Sequence, residues 1–285
     1  MPSKKTLKIT LIFLLIILII LACIIFYAFK IEPFKIRVNK IDLSENQNSP
    51  IKLVQFSDTH IKSDFTYENF QKVVDLINQQ NADIVVFTGD LYDNALKYSD
   101  NENIINLLKS IKAHHYKLAV YGNHDYFNIK SKSADTSTES LNYSQIMKKG
   151  GFTVLKQQSQ ILEINGKKIF IAGIEEDHCK APKKFADPNE KNADYNILLC
   201  HQPFLYNPYE ECDYNLILAG HTHGGQINIP FFSRIFALAN GSNFFAGLYD
   251  LGPNKKLYTN VGVGTTRISA RFRAVPEISV FSLDA

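Results

Sequence analysis

The sequence predicts an α/β chain with parallel sheet segments, set behind one N-terminal hydrophobic helix. Three observations carry this. From residue 51 onward, short apolar runs of strand character alternate with stretches of helical spacing, the pattern of strands joined by crossover helices. The first three runs each end in polar residues: Ser57-Asp-Thr-His60, Thr88-Gly-Asp90 and Gly122-Asn-His-Asp125. In open α/β sheets the ligand site lies beyond the carboxyl ends of the strands. Finally, Ile9–Phe29 is an apolar run of 21 residues, and about 20 suffice for a helix to cross the hydrocarbon core of a bilayer.

Within Ile9–Phe29 there is no charge, and only Thr10 and Tyr27 are polar. A cleavable signal has an apolar core of about 7–15 residues, then small residues at the cut. This run is longer and ends in Phe26-Tyr-Ala-Phe-Lys30. An uncleaved single-pass anchor in the cell membrane is therefore expected over residues 1–30. Lys4, Lys5 and Lys8 precede the run, while Lys30, Lys35, Arg37 and Lys40 follow it. These flanks nearly balance under the positive-inside rule. The short basic N-terminus leans towards a folded domain on the outer face. Residues 31–50 read as a linker and lead-in strand, and 51–285 as one domain.

In that domain Ile51–Phe56 reads as a strand, and Tyr67–Gln80 has helical spacing at Phe70, Val73, Val74 and Ile77. A strand is expected at Ile84–Phe87, a helix at Ile104–Ile111 and a strand at Leu118–Tyr121. The second half is richer in strands. Ile161–Ile164 and Lys168–Ile174 flank Asn165-Gly166, a strong hairpin signal. Ile197–Leu199, Leu216–Leu218, Leu257–Val261 and Ile278–Phe281 follow. Lys130–Ser140 and Glu175–Asp194 are polar and read as loops.

The whole chain carries +3, but residues 1–40 hold seven basic side chains and one acid. The rest has 24 basic against 27 acidic residues. The basic excess thus belongs to the anchor region, whereas a nucleic-acid binder needs a basic patch on its folded domain. Nucleic acid is disfavoured as a partner. Cys23 lies in the apolar run, and Cys179, Cys200 and Cys212 show no CxxC spacing, which argues against a disulfide framework or a cysteine zinc site. Cys200 reads as a small buried hydrophobe.

Five segments carry candidate chemistry: Asp58-x-His60, Gly89-Asp90-Leu-Tyr-Asp93, Gly122-Asn123-His124-Asp125, His201, and Gly220-His221-x-His223. If its strand continues, Asp58-x-His60 points both side chains the same way, so they can grip one ion. His221-x-His223 offers the same geometry. The glycines at 89, 122 and 220 suit turns where the backbone bends towards a bound group. Carboxylate, amide oxygen and imidazole together suit Mn, Fe or Zn. Taken singly, each motif is as readily a structural turn as a ligand site. Five in this order, each after a strand-like run, are poorly explained by chance.

The set resembles the calcineurin-like metallophosphoesterase superfamily. Gly220-His-Thr-His-Gly-Gly-Gln-Ile227, Ala246-Gly-Leu-Tyr249, Gly262-Val-Gly264, Arg271-Phe272 and Pro276-Glu-Ile278 resemble its membrane-associated bacterial branch of phosphodiesterases. The resemblance spans about residues 50–285. It implies two packed mixed β-sheets flanked by helices, an α/β/β/α sandwich. It implies one divalent ion on Asp58, His60, Asp90 and His223, and a second on Asp90, Asn123, His201 and His221, with Asp90 bridging. It implies that His124 is the catalytic histidine at the phosphate and leaving group, and that Asp93 and Asp125 orient ligands by hydrogen bonds. The implied activity is hydrolysis of a phosphodiester or pyrophosphate by a bridging hydroxide, with a lipid- or nucleotide-linked substrate in view. A UDP-2,3-diacylglucosamine pyrophosphatase is the alternative enzyme. A catalytically silent metal-binding scaffold is the alternative of another class, but scaffolds of this kind usually lose ligands or the His of Gly-Asn-His, and this chain has lost none.

Away from these motifs, His114, His115 and His178 read as surface or loop residues. Arg267, Arg271 and Arg273 form a basic cluster, in which Arg271 is the candidate clamp for a substrate phosphate; salt bridges on a solvated strand are the bland alternative. Phe231, Phe232, Phe236, Phe244 and Phe245 read either as packing under a long loop or as an apolar surface near the bilayer.

Overall fold

Residues 51–56 are apolar on both faces, with Ile51 and Leu53 one way and Val54 and Phe56 the other, and all four are buried. Such a strand must lie between two layers. A computed structural model describes residues 3–44, 50–93, 101–129, 142–174, 188, 192–229 and 243–284 of the chain. The expected loop Lys130–Ser140, most of Glu175–Asp194, His178, Cys179, Phe231, Phe232 and Phe236 lie outside the described residues.

Two six-stranded mixed sheets form the body. The first runs β1 (Arg37–Leu43), β12 (Glu277–Leu283), β2 (Ile51–Phe56), β3 (Ile84–Phe87), β4 (Tyr116–Ala119) and β5 (Thr153–Val154). β2 to β5 are mutually parallel, and β12 enters antiparallel to β2. The second runs β10 (Gly247–Gly252), β11 (Lys255–Thr259), β9 (Leu216–Ala219), β8 (Tyr195–Leu199), β7 (Lys167–Gly173) and β6 (Gln158–Ile164). β7, β8, β9 and β11 are parallel, and β6 and β10 close the edges antiparallel.

The sheets bury a common core. Ile51, Leu53, Ile84 and Val86 meet Ile169, Ile171, Ile197 and Leu218 across the interface. The other face of the first sheet packs on helices α2 (Tyr67–Asn78), α3 (Asn101–Ser110) and α4 (Tyr143–Lys149) through Val54, Phe56, Phe70, Leu108 and Met147. On the far face of the second sheet lies the short helical turn Pro203–Tyr209, with Leu205 and Tyr209 in the core. Cys200 is buried there, as expected of a small hydrophobe. The architecture is the expected pair of mixed sheets flanked by helical layers.

α1 (Lys4–Lys30) is long and apolar enough to cross a membrane. Its C-terminal end is docked. The carbonyl of Ala28, one of those an α-helix leaves without an internal partner, accepts from Arg271 N at 2.9 Å. Glu32, in the turn that follows, is buried and accepts from Ala274 N at 2.6 Å. β1 then pairs with β12 from Arg37↔Glu277 to Leu43↔Leu283. Much of the expected linker over 31–50 is thus built into the fold, because β12 offers β1 an unpaired edge.

Candidate metal centre

Every motif residue comes from the carboxyl end of a strand. Asp58 and His60 follow β2, Asp90 follows β3, and Asn123, His124 and Asp125 follow β4. His201 follows β8 of the other sheet, and His221 and His223 follow β9. The site therefore straddles the two sheets at one end of the sandwich.

The convergence does not come from strand alternation as the spacing suggested. β2 ends at Phe56, and Asp58 and His60 both have left-handed backbone, with φ of 51° and 41°. Asp90, His221 and His223 are left-handed as well, at 64°, 73° and 51°. L-residues adopt this conformation at a cost of about 1 kcal/mol or more each, and it clusters at functional sites. Here it turns successive side chains inward from a tight loop. Gly122 shows how close that loop is, since a Cβ there would stand 2.1 Å from Asp90 Oδ1.

The donor atoms form two groups, and a third triad, His60, Asp90 and His124, overlaps both of them. Asp58, His60 and His223 offer atoms within 4.8 Å of one another, and so do Asp90, His201 and His221. In the first group, His223 Nε2 lies 3.1 Å from His60 Nε2 and 3.4 Å from Asp58 Oδ1. In the second, His201 Nε2 is 3.1 Å from Asn123 Oδ1 and 3.2 Å from His221 Nδ1. Ligands about 2.1 Å from one ion stand roughly 3.0–3.4 Å apart, which matches these separations. Asp90 Oδ2 lies between the groups, 3.3 Å from His60 Nε2 and 3.2 Å from His201 Nε2.

The donor set fits divalent cations. Asp58 and Asp90 are buried carboxylates, and buried charge has to be compensated. Among the described residues, histidines are the cationic groups within 4 Å of these carboxylate oxygens, with the buried Arg271 acting on Asp58 from further away. A carbonyl also prepares one ligand: Thr88 O takes the Nδ1 proton of His201 at 2.7 Å, leaving the Nε2 lone pair for a metal.

A family model described as calcineurin-like phosphoesterase matches residues 51–225. The metallophosphoesterase YkuE of Bacillus subtilis is 36% identical over 264 residues, which cover 90% of this chain and 88% of that one. The phosphodiesterase YaeI of Escherichia coli is 25% identical over 259 residues, covering 88% and 90%. A zebrafish (Danio rerio) protein named as a transmembrane protein with a metallophosphoesterase domain is 26% identical over 260 residues, covering 88% of this chain and 56% of its own. The chain belongs to the calcineurin-like phosphoesterase family.

Membership makes it a metallophosphoesterase, a phosphohydrolase whose fold works with divalent metals. Within this phosphoesterase the buried carboxylates behave alike and the histidines do not. Burial opposes ionisation of Asp58, but His223, His60 and His201 hold its carboxyl well below the usual range. Burial likewise opposes ionisation of Asp90, and His201, His60 and His124 hold it low. Burial would lower His60, yet Asp58, Asp93 and Asp90 carry it up to about 9. His221 is pulled down to about 4 by burial and by His201. Of His60 and His221, it is His60 whose surroundings favour the protonated form.

The structure brings the outer residues to the same place. Asp125 Oδ2 accepts from Asp90 N at 2.9 Å and Gly122 N at 2.8 Å, fixing two loops to each other. Asp93 Oδ1 is 3.4 Å from His60 Nδ1, a long contact, and its carbonyl accepts from His124 Nδ1 at 2.8 Å. His124 is half-buried, and its ring meets that of His60 edge-on, 4.8 Å between centroids.

Arg271 is not placed as a phosphate clamp. It is fully buried, with Nε donating to Gly264 O at 2.9 Å, Nη1 to Ala274 O at 2.8 Å and Nη2 to Val261 O at 2.9 Å. Burial also lowers it to about 10. A guanidinium committed to carbonyls this way positions backbone instead of gripping substrate. It staples the turn 261–264, whose Gly264 N donates to Asp58 O at 2.8 Å, and its Nη2 lies 3.3 Å from His223 Nδ1. The Gly262-x-Gly264 spacing was the available signal for that turn. Nothing in the sequence marked Glu32. His114 and His115 are exposed, as expected. Phe244 packs on Tyr206 and Tyr249, which favours the packing reading for that residue.

Proposed function

We propose that this metallophosphoesterase hydrolyses a phosphodiester or pyrophosphate bond at a two-ion centre, and that α1 anchors it in a membrane. The observation that carries the reading is Asp90 Oδ2, placed within 3.3 Å of an imidazole nitrogen from each donor group. One carboxylate oxygen so placed suits a bridge between two ions. Asp58, His60 and His223 would complete one ion's shell, and Asn123, His201 and His221 the other's. Bound divalent ions of the Mn, Fe or Zn type would polarise the phosphoryl oxygens and lower the pKa of water at the site.

The chain's own residues do the rest. The imidazoles and carboxylates fix where the phosphate's charge is received, so little reorganisation accompanies the reaction. His124 stands on the accessible side of the site. The Asp93 carbonyl holds its Nδ1 proton, which turns Nε2 towards the space beside Asp90 and allows it to give a proton to the departing oxygen. Residues 51–285 would form the catalytic unit. The presence of His124 and of all seven donors supports catalysis over a silent scaffold.

The test is hydrolysis of bis-p-nitrophenyl phosphate by the full chain in detergent, stripped of metal and then titrated with Mn, Fe or Zn. Turnover should return with metal, and Asp90→Asn should lower it on the order of 10³-fold. Two bound ions without turnover would favour the scaffold.

A further inference from the structure

Outside α1, eight large hydrophobic side chains of the described residues are exposed, and four of them gather where α1 ends: Ile31, Phe34, Ile229 and Ile268. The segments that carry them are bonded together. Arg271 N donates to Ala28 O at 2.9 Å, and Ala274 N to the buried Glu32 at 2.6 Å. Asn228 N donates to Phe272 O at 2.7 Å, and Gln226 Nε2 to Ile268 O at 2.7 Å. Ile268 is 51% exposed, the most of any large hydrophobic outside α1. Arg267 and Arg273 beside it are exposed as well.

A helix that crosses a bilayer leaves it at headgroup depth. A loop hydrogen-bonded to the carbonyl in its last turn lies at that same depth. Exposed apolar side chains flanked by cations are what an anionic lipid surface accepts. The loop also borders the metal centre, since Thr266 Oγ1 is 3.3 Å from Asp93 Oδ1, and Asp93 holds His124.

We propose that the loop 265–273, through its exposed Ile268, Arg267 and Arg273, forms a second membrane contact, seated in the headgroup layer beside the end of α1, and that the metal centre takes phosphoesters presented at that lipid surface. This rests on the reading of α1 as an anchor and of the site as a phosphoesterase centre. Membrane seating would make the loop one wall of the substrate's approach.

The chain contains no tryptophan, so an introduced one reports alone. The full chain would be reconstituted in phosphatidylcholine–phosphatidylglycerol vesicles with brominated acyl chains, as Ile268→Trp, Leu18→Trp or Ile161→Trp. Leu18 lies within α1, and Ile161 is exposed on the far edge strand β6. Leu18→Trp should be quenched deeply, Ile268→Trp by bromines near the headgroups, and Ile161→Trp not at all. If Leu18→Trp is quenched while Ile268→Trp behaves like Ile161→Trp, the loop lies in water and the proposal fails with the anchor intact. A blue-shifted but unquenched Ile268→Trp would mean a protein partner covers the loop, and would also overturn it. An unquenched Leu18→Trp would remove the anchor itself, and the proposal with it.

For the substrate, Ile268→Ser with Arg267→Ala should lower kcat/KM about tenfold on a diacylglycerol p-nitrophenyl phosphodiester in vesicles. Soluble bis-p-nitrophenyl phosphate should be hydrolysed unchanged. Equal losses on both would assign the loop a structural role only.

Discussion

The Asp58–His60–His223 half of the candidate metal centre and the Asn123–His201–His221 half flank Asp90 but are enclosed differently. In the first, all three side chains are buried, and Arg271 with the turn 261–264 closes the back. In the second, Asn123 and His221 are only half-buried. His124 is half-buried too, but it packs edge-on against His60 and so stands beside the first half. The histidines divide within the first half itself, with His60 raised to about 9 and His223 held well below the usual range by burial, as His221 of the second half is lowered to about 4. The contrast teaches a division of the site: one half is built into the protein, and the other is left more open to solvent.

The largest effect expected is at His124. His124→Ala should leave two ions bound and lower kcat by about 10²–10³ on a phosphodiester with a poor leaving group. Loss of an ion in this variant would place His124 in the ligand shell and break the comparison. A smaller effect should fall on the closed half. Arg271→Lys shortens the staple behind Asp58 and His223 and should weaken one metal about 10–100-fold, read as a two-site cobalt titration in which only one spectral component shifts. Equal weakening of both would show that Arg271 supports the fold and not one half.

A further effect is in pH. His60 is protonated in the metal-free protein below about 9, and metal must displace that proton. Affinity of the closed half should therefore rise with pH, about tenfold per unit from neutrality towards 9. His221, lowered to about 4, is already neutral there, so its half should stay flat. Calorimetry in buffers of different ionisation enthalpy would count the proton released, and none released would remove the distinction.

Much of the fold was legible because buried parallel strands leave unbroken apolar runs. The expected strands Ile51–Phe56 and Ile84–Phe87 match β2 and β3 at both ends. α4 was missed although it carries a capping box, Asn142 with Gln145, because it has only seven residues. β5 has two residues and leaves no pattern. The site was legible in composition but not in geometry. Asp58 and His60 converge through left-handed backbone, which residue spacing alone does not encode. Arg271 was misread because a cation in a basic cluster suggests an anion. Its actual partners are main-chain carbonyls of Val261, Gly264 and Ala274, groups every residue possesses. The docking of Ala28 and Glu32 joins positions some 240 residues apart in sequence, and no local pattern reaches that far.

One consequence follows from ligands drawn out of both sheets. Asp58, Asp90 and Asn123 belong to one layer, and His201, His221 and His223 to the other. An ion held between them would be a cross-link as much as a cofactor, tying the carboxylates of one layer to the imidazoles of the other at that end of the sandwich. Chelation would then cut a rivet: the layers stay joined by the apolar core at one end and are free to splay at the other, so that loss of metal and loosening of that edge become a single event.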